Sequence, residues 1–192
     1  MPNYTINEVI IHDVNQRQQA EILAKVNGAW GPIDFSTLLP VPINYWHGSA
    51  GRMHEYVFPG IALDWCTQNW STKWNAVPGF WGKDEPQRYL PIAQTNTSLT
   101  LTFQTAWSPP CGWVVALFNT FHFKMSHNWL GEEDNVGYTD RYFFDGMGWN
   151  EWSRMPAGEE LQRHLMYLRY GVESFESDDD EALTLLDKAV QS

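Results

Sequence analysis

The chain has 192 residues, 12 basic against 23 acidic side chains, and a formal net charge of −11 at pH 7. That length fits one domain able to bury roughly 70% of its unfolded surface, so folding requires neither a disulfide nor a structural metal. The charge repels nucleic-acid phosphates, which disfavours direct binding to DNA or RNA, and it suits a partner with a basic surface.

Eleven Trp, eight Tyr and ten Phe imply a core assembled from a few large pieces. Cys66 and Cys111 have no zinc-site or redox-pair spacing. The start, MPNYTINEVIIHD, lacks a basic segment followed by a long apolar run, and no stretch approaches the ~20 apolar residues of a membrane span. A cytoplasmic location, away from membranes, is the expectation.

In chain order, TINEVIIH (5–12) is short and β-branched and predicts a strand. Residues 15–27 predict a helix with Ala20, Leu23 and Ala24 on one face, stopped by Asn27-Gly28. Residues 31–60, broken by four prolines and four glycines, read as mostly loop. A helix is expected from Pro59 through Leu63 toward Trp70 or Trp74, then loop again over 77–96.

The second half is more regular. In SLTLTFQT (98–105), Leu99, Leu101 and Phe103 alternate with Thr100, Thr102 and Gln104, which predicts a half-buried strand. Ser108 is a suitable N-cap for a helix with Pro109-Pro110 in its first turn, and Val114, Leu117, Phe118 and Phe121 share one helical face. FHFKMSHNW (121–129) turns to period two, with His127 interrupting the apolar side, and YTDRYFFDG (138–146) predicts the returning strand. Residues 156–170 predict a helix, and an acidic run at 174–181 leads into a last one.

Several motifs occur in order: MPNY, DFSTLLPVP (34–42), NWSTKWNA (69–76), FQTAWSPP (103–110) and the hairpin from GEED to GY. Over residues 1–146 this pattern resembles the YubB ferredoxin-like domain family of bacteriophages and conjugative plasmids. The resemblance implies an α+β fold, a ferredoxin-like antiparallel sheet backed by helices. It divides the chain into a domain at 1–146, with a loop-rich insert at 29–97, and a helical, acidic C-terminal extension at 147–192. The residues themselves show no strand between 28 and 97 to complete the β-α-β-β-α-β order. The resemblance also implies a mobile-element setting, in which accessory genes often counter host defences, but it carries no catalytic residues.

No residue earns a catalytic, cofactor or metal assignment from the sequence, and no cofactor is expected. His122 and His127, five apart on one strand, point to opposite faces. Cys111 opens a helix but has no histidine tied to it by sequence, so it reads as structural. Trp70 and Trp74, four apart, read as helix neighbours packed into the core, and Trp107 as a plug at the strand-to-helix corner. The partner-binding candidates are the acidic groups Glu132, Glu133 and Asp134 at the hairpin tip and Glu173, Glu176, Asp178, Asp179, Asp180 and Glu181 near the end. The resulting expectation is a non-enzymatic protein that binds a host or defence-system protein, an inhibitor of the anti-CRISPR or anti-restriction type. The alternatives are an enzyme with a cryptic Cys/His site and a module for single-stranded nucleic acid.

Overall fold

The computed structural model describes residues 3–46, 57–77, 90–131, 136–144 and 150–171. Strand β1 (Tyr4–His12) leads into helix α1 (Gln16–Val26), and Phe35–Thr37 form a single 3-10 turn. Helix α2 (Ala62–Asn69) follows, then β2 (Ile92–Gln94), β3 (Ser98–Ala106), helix α3 (Cys111–Phe121) and β4 (Met125–Leu130). Strands β5 (Tyr138–Phe144) and β6 (Asn150–Pro156) and helix α4 (Glu159–Tyr170) complete the order.

The six strands form one antiparallel sheet in the order β2-β3-β1-β4-β5-β6. The first four strands, with α1 and α3, supply the full β-α-β-β-α-β arrangement. The completing strand is β2, which the sequence reading missed. It has three residues, follows Pro91, and carries one half-buried and two exposed side chains, so it shows no alternation. Farther along the same edge of β3, Val77 exchanges two backbone bonds with Gln104, both 2.9 Å. Part of the loop-rich stretch therefore satisfies an edge that would otherwise present unpaired groups. Within 147–192, expected to be helical, residues 150–156 instead extend the sheet as β6.

The main core lies between one sheet face and α1, α2, α3 and the 3-10 turn. Val9, Ile11, Leu99, Leu101, Phe103 and Met125 face it from the sheet. Phe35 sits at its centre, with ring centroids 4.7 Å from Trp113 and 5.6 Å from both Trp70 and Phe103. The opposite face is partly covered by α4, where Leu165, Met166 and Leu168 pack on Ile6 and Leu130. Thr102 and Gln104, on that opposite face, are buried along with Leu101 and Phe103, so β3 is not half-buried as expected.

Local chemistry explains several boundaries. Asn15 and Gln18 close α1 with a reciprocal capping box. The buried face of that helix is Gln19, Ile22 and Val26, while Ala20 and Ala24 are exposed. Gln19 tolerates full burial because its amide donates to Val14 O and Thr95 O and accepts from Gln94. Helix α3 starts at Cys111, not in the Pro109-Pro110 pair, and Ser108 is not its cap. Ser108 donates to Ser71 O, and the Ser71 hydroxyl, from a distant loop, accepts the Gly112 N–H at 3.1 Å. The helix runs through Phe121 and ends on His122 at φ 55°, so the strand begins only at Met125. Helix α4 has Glu159 and Glu160 in its first turn and stops at Gly171, whose φ of 77° suits glycine.

Candidate functional site

Two features of the described residues carry chemistry. The first is a row of side chains on the sheet face that carries the main core, where His127 lies opposite Val9. In the strand register His127 on β4 lies opposite Asp140 on β5, and Asp140 lies opposite Arg154 on β6. Residues in one such row point to the same face and touch side by side. The first residue of α3, Cys111, reaches the same row. One ligand atom each from Cys111, His127 and Asp140 lie within 4.8 Å of one another.

The carboxylate of Asp140 is fully buried and well supplied with donors. Arg154 Nε donates to Oδ1 at 2.7 Å and Nη2 to Oδ2 at 3.0 Å, and Trp129 Nε1 donates to Oδ2 at 3.2 Å. Arg154 also lies 5.1 Å above the Trp129 ring, which stacks on Tyr138. Its Nη2 is 3.6 Å from Cys111 Sγ.

The tautomer of His127 follows from its neighbours. Asn7 Nδ2 donates to Thr5 O and to Thr105 Oγ1, which fixes the amide with Oδ1 toward the imidazole. That oxygen can only accept, so His127 Nε2, 3.1 Å away, carries the proton. Nδ1 is then a bare lone pair. It has no hydrogen-bond partner, it is fully buried, and it faces Asp140 Oδ2 at 3.9 Å. Burial, against the opposing pull of Asp140, pushes the His127 pKa down to about 4, so the ring is neutral near pH 7. Burial first, and then Asp140, raise the Cys111 thiol above its ordinary value despite Arg154. The thiol is therefore kept protonated, and the set does not by itself make a nucleophile.

None of this was assigned from the sequence. In the sequence His127 interrupts an apolar face and pairs only with His122, five residues away, on the opposite side of an expected strand. Asp140 and Arg154 come to it through two successive hairpins, and the second of these needs β6, which the sequence reading missed. Cys111 belongs with His127 only in three dimensions. His122 caps a helix and does not share a strand with His127.

The second feature is on the surface. Helix α2 ends at Asn69, so Trp70 and Trp74 do not share a helical face. Trp70 is buried and donates from Nε1 to Leu39 O, as core packing requires. Trp74 is 38% exposed. Trp107 is 56% exposed and does not plug the corner it was expected to fill. Its backbone sits at φ 75°, unusual for a bulky residue, and its N–H bonds Asn3 O at 2.7 Å. The Lys73 ammonium lies 4.1 Å from the Trp107 ring centre and 5.2 Å from that of Trp74. The acidic candidates Glu132, Glu133, Asp134, Glu173, Glu176, Asp178, Asp179, Asp180 and Glu181 all lie outside the described residues.

The strand order and the split β-α-β connections define a ferredoxin-like α+β domain, extended by β5, β6 and α4. The family described as a ferredoxin-like domain in Api92-like protein matches residues 88–156, the stretch from β2 to β6 that holds Cys111, His127, Asp140 and Arg154. No curated protein and no solved structure matches the chain. Among the described residues, no helix is long and apolar enough to cross a membrane.

Proposed function

We propose that this chain is a protein-binding module of a mobile genetic element, of the YubB ferredoxin-like kind, acting in the bacterial cytoplasm on a host or defence protein with a basic surface. An anti-CRISPR or anti-restriction inhibitor is its most concrete form. The observation that carries the reading is the exposed Trp74–Lys73–Trp107 cluster on a chain of net charge −11. Large aromatic rings at a surface are the commonest anchors of protein interfaces, and net charge of one sign speeds encounter with a partner of the other. The unusual backbone at Trp107 fits a ring presented outward at some conformational cost.

The test uses bacteria with an active CRISPR or restriction system. Expression of the full chain is expected to raise the plating efficiency of a targeted phage at least tenfold. A lysate pull-down should retain a component of that system and release it as salt rises. The Trp74→Ala/Trp107→Ala double variant, checked for native folding by circular dichroism, should lose both effects. Unchanged plating in every defence background, with no tryptophan-dependent, salt-sensitive partner retained, refutes the reading.

A further inference from the structure

We infer that Cys111 Sγ, His127 Nδ1 and the Asp140 carboxylate form a binding site for a borderline divalent transition metal, zinc first. The inference is independent of the proposed partner binding.

The starting point is an electrostatic mismatch. His127 Nδ1 and Asp140 Oδ2 are both acceptors, both buried, and lie 3.9 Å apart, and Nδ1 receives no hydrogen bond. A buried imidazole lone pair left without a donor beside a carboxylate is costly in a low-dielectric interior, and a bound cation would satisfy it. The third member is a thiol, which a metal converts to a thiolate ligand, its proton passing to solvent. A set of one thiolate, one neutral imidazole and one carboxylate mixes soft and hard donors, as zinc accepts and magnesium or calcium does not.

The geometry is close to what a metal needs. Zinc bonds of about 2.0–2.3 Å place neighbouring ligand atoms roughly 3.3–3.6 Å apart around a tetrahedron. The three atoms here lie within 4.8 Å of one another, so the site closes by roughly 1 Å on binding. Its outer contacts are already those of a metal centre. A ligating histidine normally gives its other N–H to a fixed acceptor, and Asn7 Oδ1 is that acceptor. A ligating carboxylate is normally hydrogen-bonded, and Trp129 and Arg154 provide this. Two donors fill Oδ2 and one sits on Oδ1, so the site left for a metal on a carboxylate with about four lone pairs is on Oδ1.

Arg154 is the charge such a site must accommodate. It lies at the outer edge, with a partly exposed side chain, on Asp140 and beside Cys111. Since zinc displaces the thiol proton, the cluster gains only one unit of charge, on a strongly acidic chain. Cys111 and Arg154 are the members nearest solvent, so the fourth metal position opens toward them and takes water or a small anion.

The experiment uses the full chain made in zinc-supplemented medium. Elemental mass spectrometry after exhaustive dialysis should find about one zinc per chain. After chelation, added Co²⁺ should produce a thiolate-to-cobalt charge-transfer band. Cys111→Ser should abolish that band, Cys66→Ser should keep it, and Asn7→Leu should weaken zinc binding about 10–100-fold. If a variant does not fold, zinc protection of Cys111 from iodoacetamide in the unaltered protein, read by peptide mapping, replaces it. Wild-type protein that takes up neither zinc nor cobalt overturns the inference. So does a band that survives in Cys111→Ser, or Cys111 alkylation that zinc does not slow.

Discussion

Replacing Arg154 by methionine isolates what the buried Asp140 carboxylate needs. Two of its three donors, at 2.7 and 3.0 Å, come from Arg154, and only Trp129 at 3.2 Å would remain. Hydrogen bonds to charged groups contribute about 1.5–3 kcal/mol each, and breaking a buried pair by removing one partner costs about 3–5 kcal/mol. The Arg154 side chain is 38% exposed while Asp140 is fully buried, so water partly screens one end and can partly replace the lost donors. A loss of about 2–4 kcal/mol is therefore expected for Arg154→Met. Methionine keeps much of the aliphatic volume over Trp129, which limits any added packing loss. The measurement is urea unfolding followed by circular dichroism, with chelator present so that bound metal adds nothing. A double-mutant cycle with Asp140→Asn separates the pair from the rest and should give a coupling of about 2 kcal/mol. If Arg154→Met costs under about 0.5 kcal/mol and the coupling is near zero, Asp140 is not held by Arg154, and the description of the row fails.

Two further outcomes follow from other parts of the fold. A Cβ at Gly112 would lie 2.1 Å from the Asn69 carbonyl oxygen, a backbone atom at the end of α2 that cannot turn aside. Gly112→Ala should therefore cost about 1–3 kcal/mol in urea unfolding despite the better helix propensity of alanine, and a stabilised variant would refute the close approach of α2 and α3. On the opposite face, His164 Nε2 and Asn128 Nδ2 both bond the Glu8 carboxylate at 2.9 Å. Burial alone would raise the pKa of Glu8, but the hydrogen bonds from His164 and Asn128 and the His164 charge hold it below its ordinary 4.5. The bond to Glu8 raises His164 above its ordinary 6.5, against burial. The Glu8 contribution is present above pH 4.5 and is lost as pH falls through its lowered value. The His164 contribution is full below pH 6.5 and is lost as pH rises through its raised value. Urea midpoints should thus separate wild type from His164→Gln most between pH 4.5 and 6.5, and a gap that widens above pH 8 would contradict the pairing.

The sequence by itself determined the elements whose side chains alternate or repeat along one face. Leu99, Leu101 and Phe103 marked β3 through period two, and Val114, Leu117 and Phe118 marked α3 through helical spacing. Those patterns are local, because burial of one face writes itself into neighbouring residues. Strand β2 left no such pattern, since it is three residues long and largely exposed. The burial of Gln19 in place of Ala20 was equally hidden, because it depends on carbonyls at Val14 and Thr95 that only the folded chain brings within reach. The row of His127, Asp140 and Arg154 was decided by tertiary structure alone. Each residue looked ordinary in its own segment, and two strand registers set by intervening turns placed them side by side. Cys111 joined them because α3 crosses that face at its first residue. Composition could fix the sign of the charge and the aromatic content of the core. Which rings stay outside was set by where α2 stops and by the backbone turn at Trp107, and neither follows from a spacing of four residues.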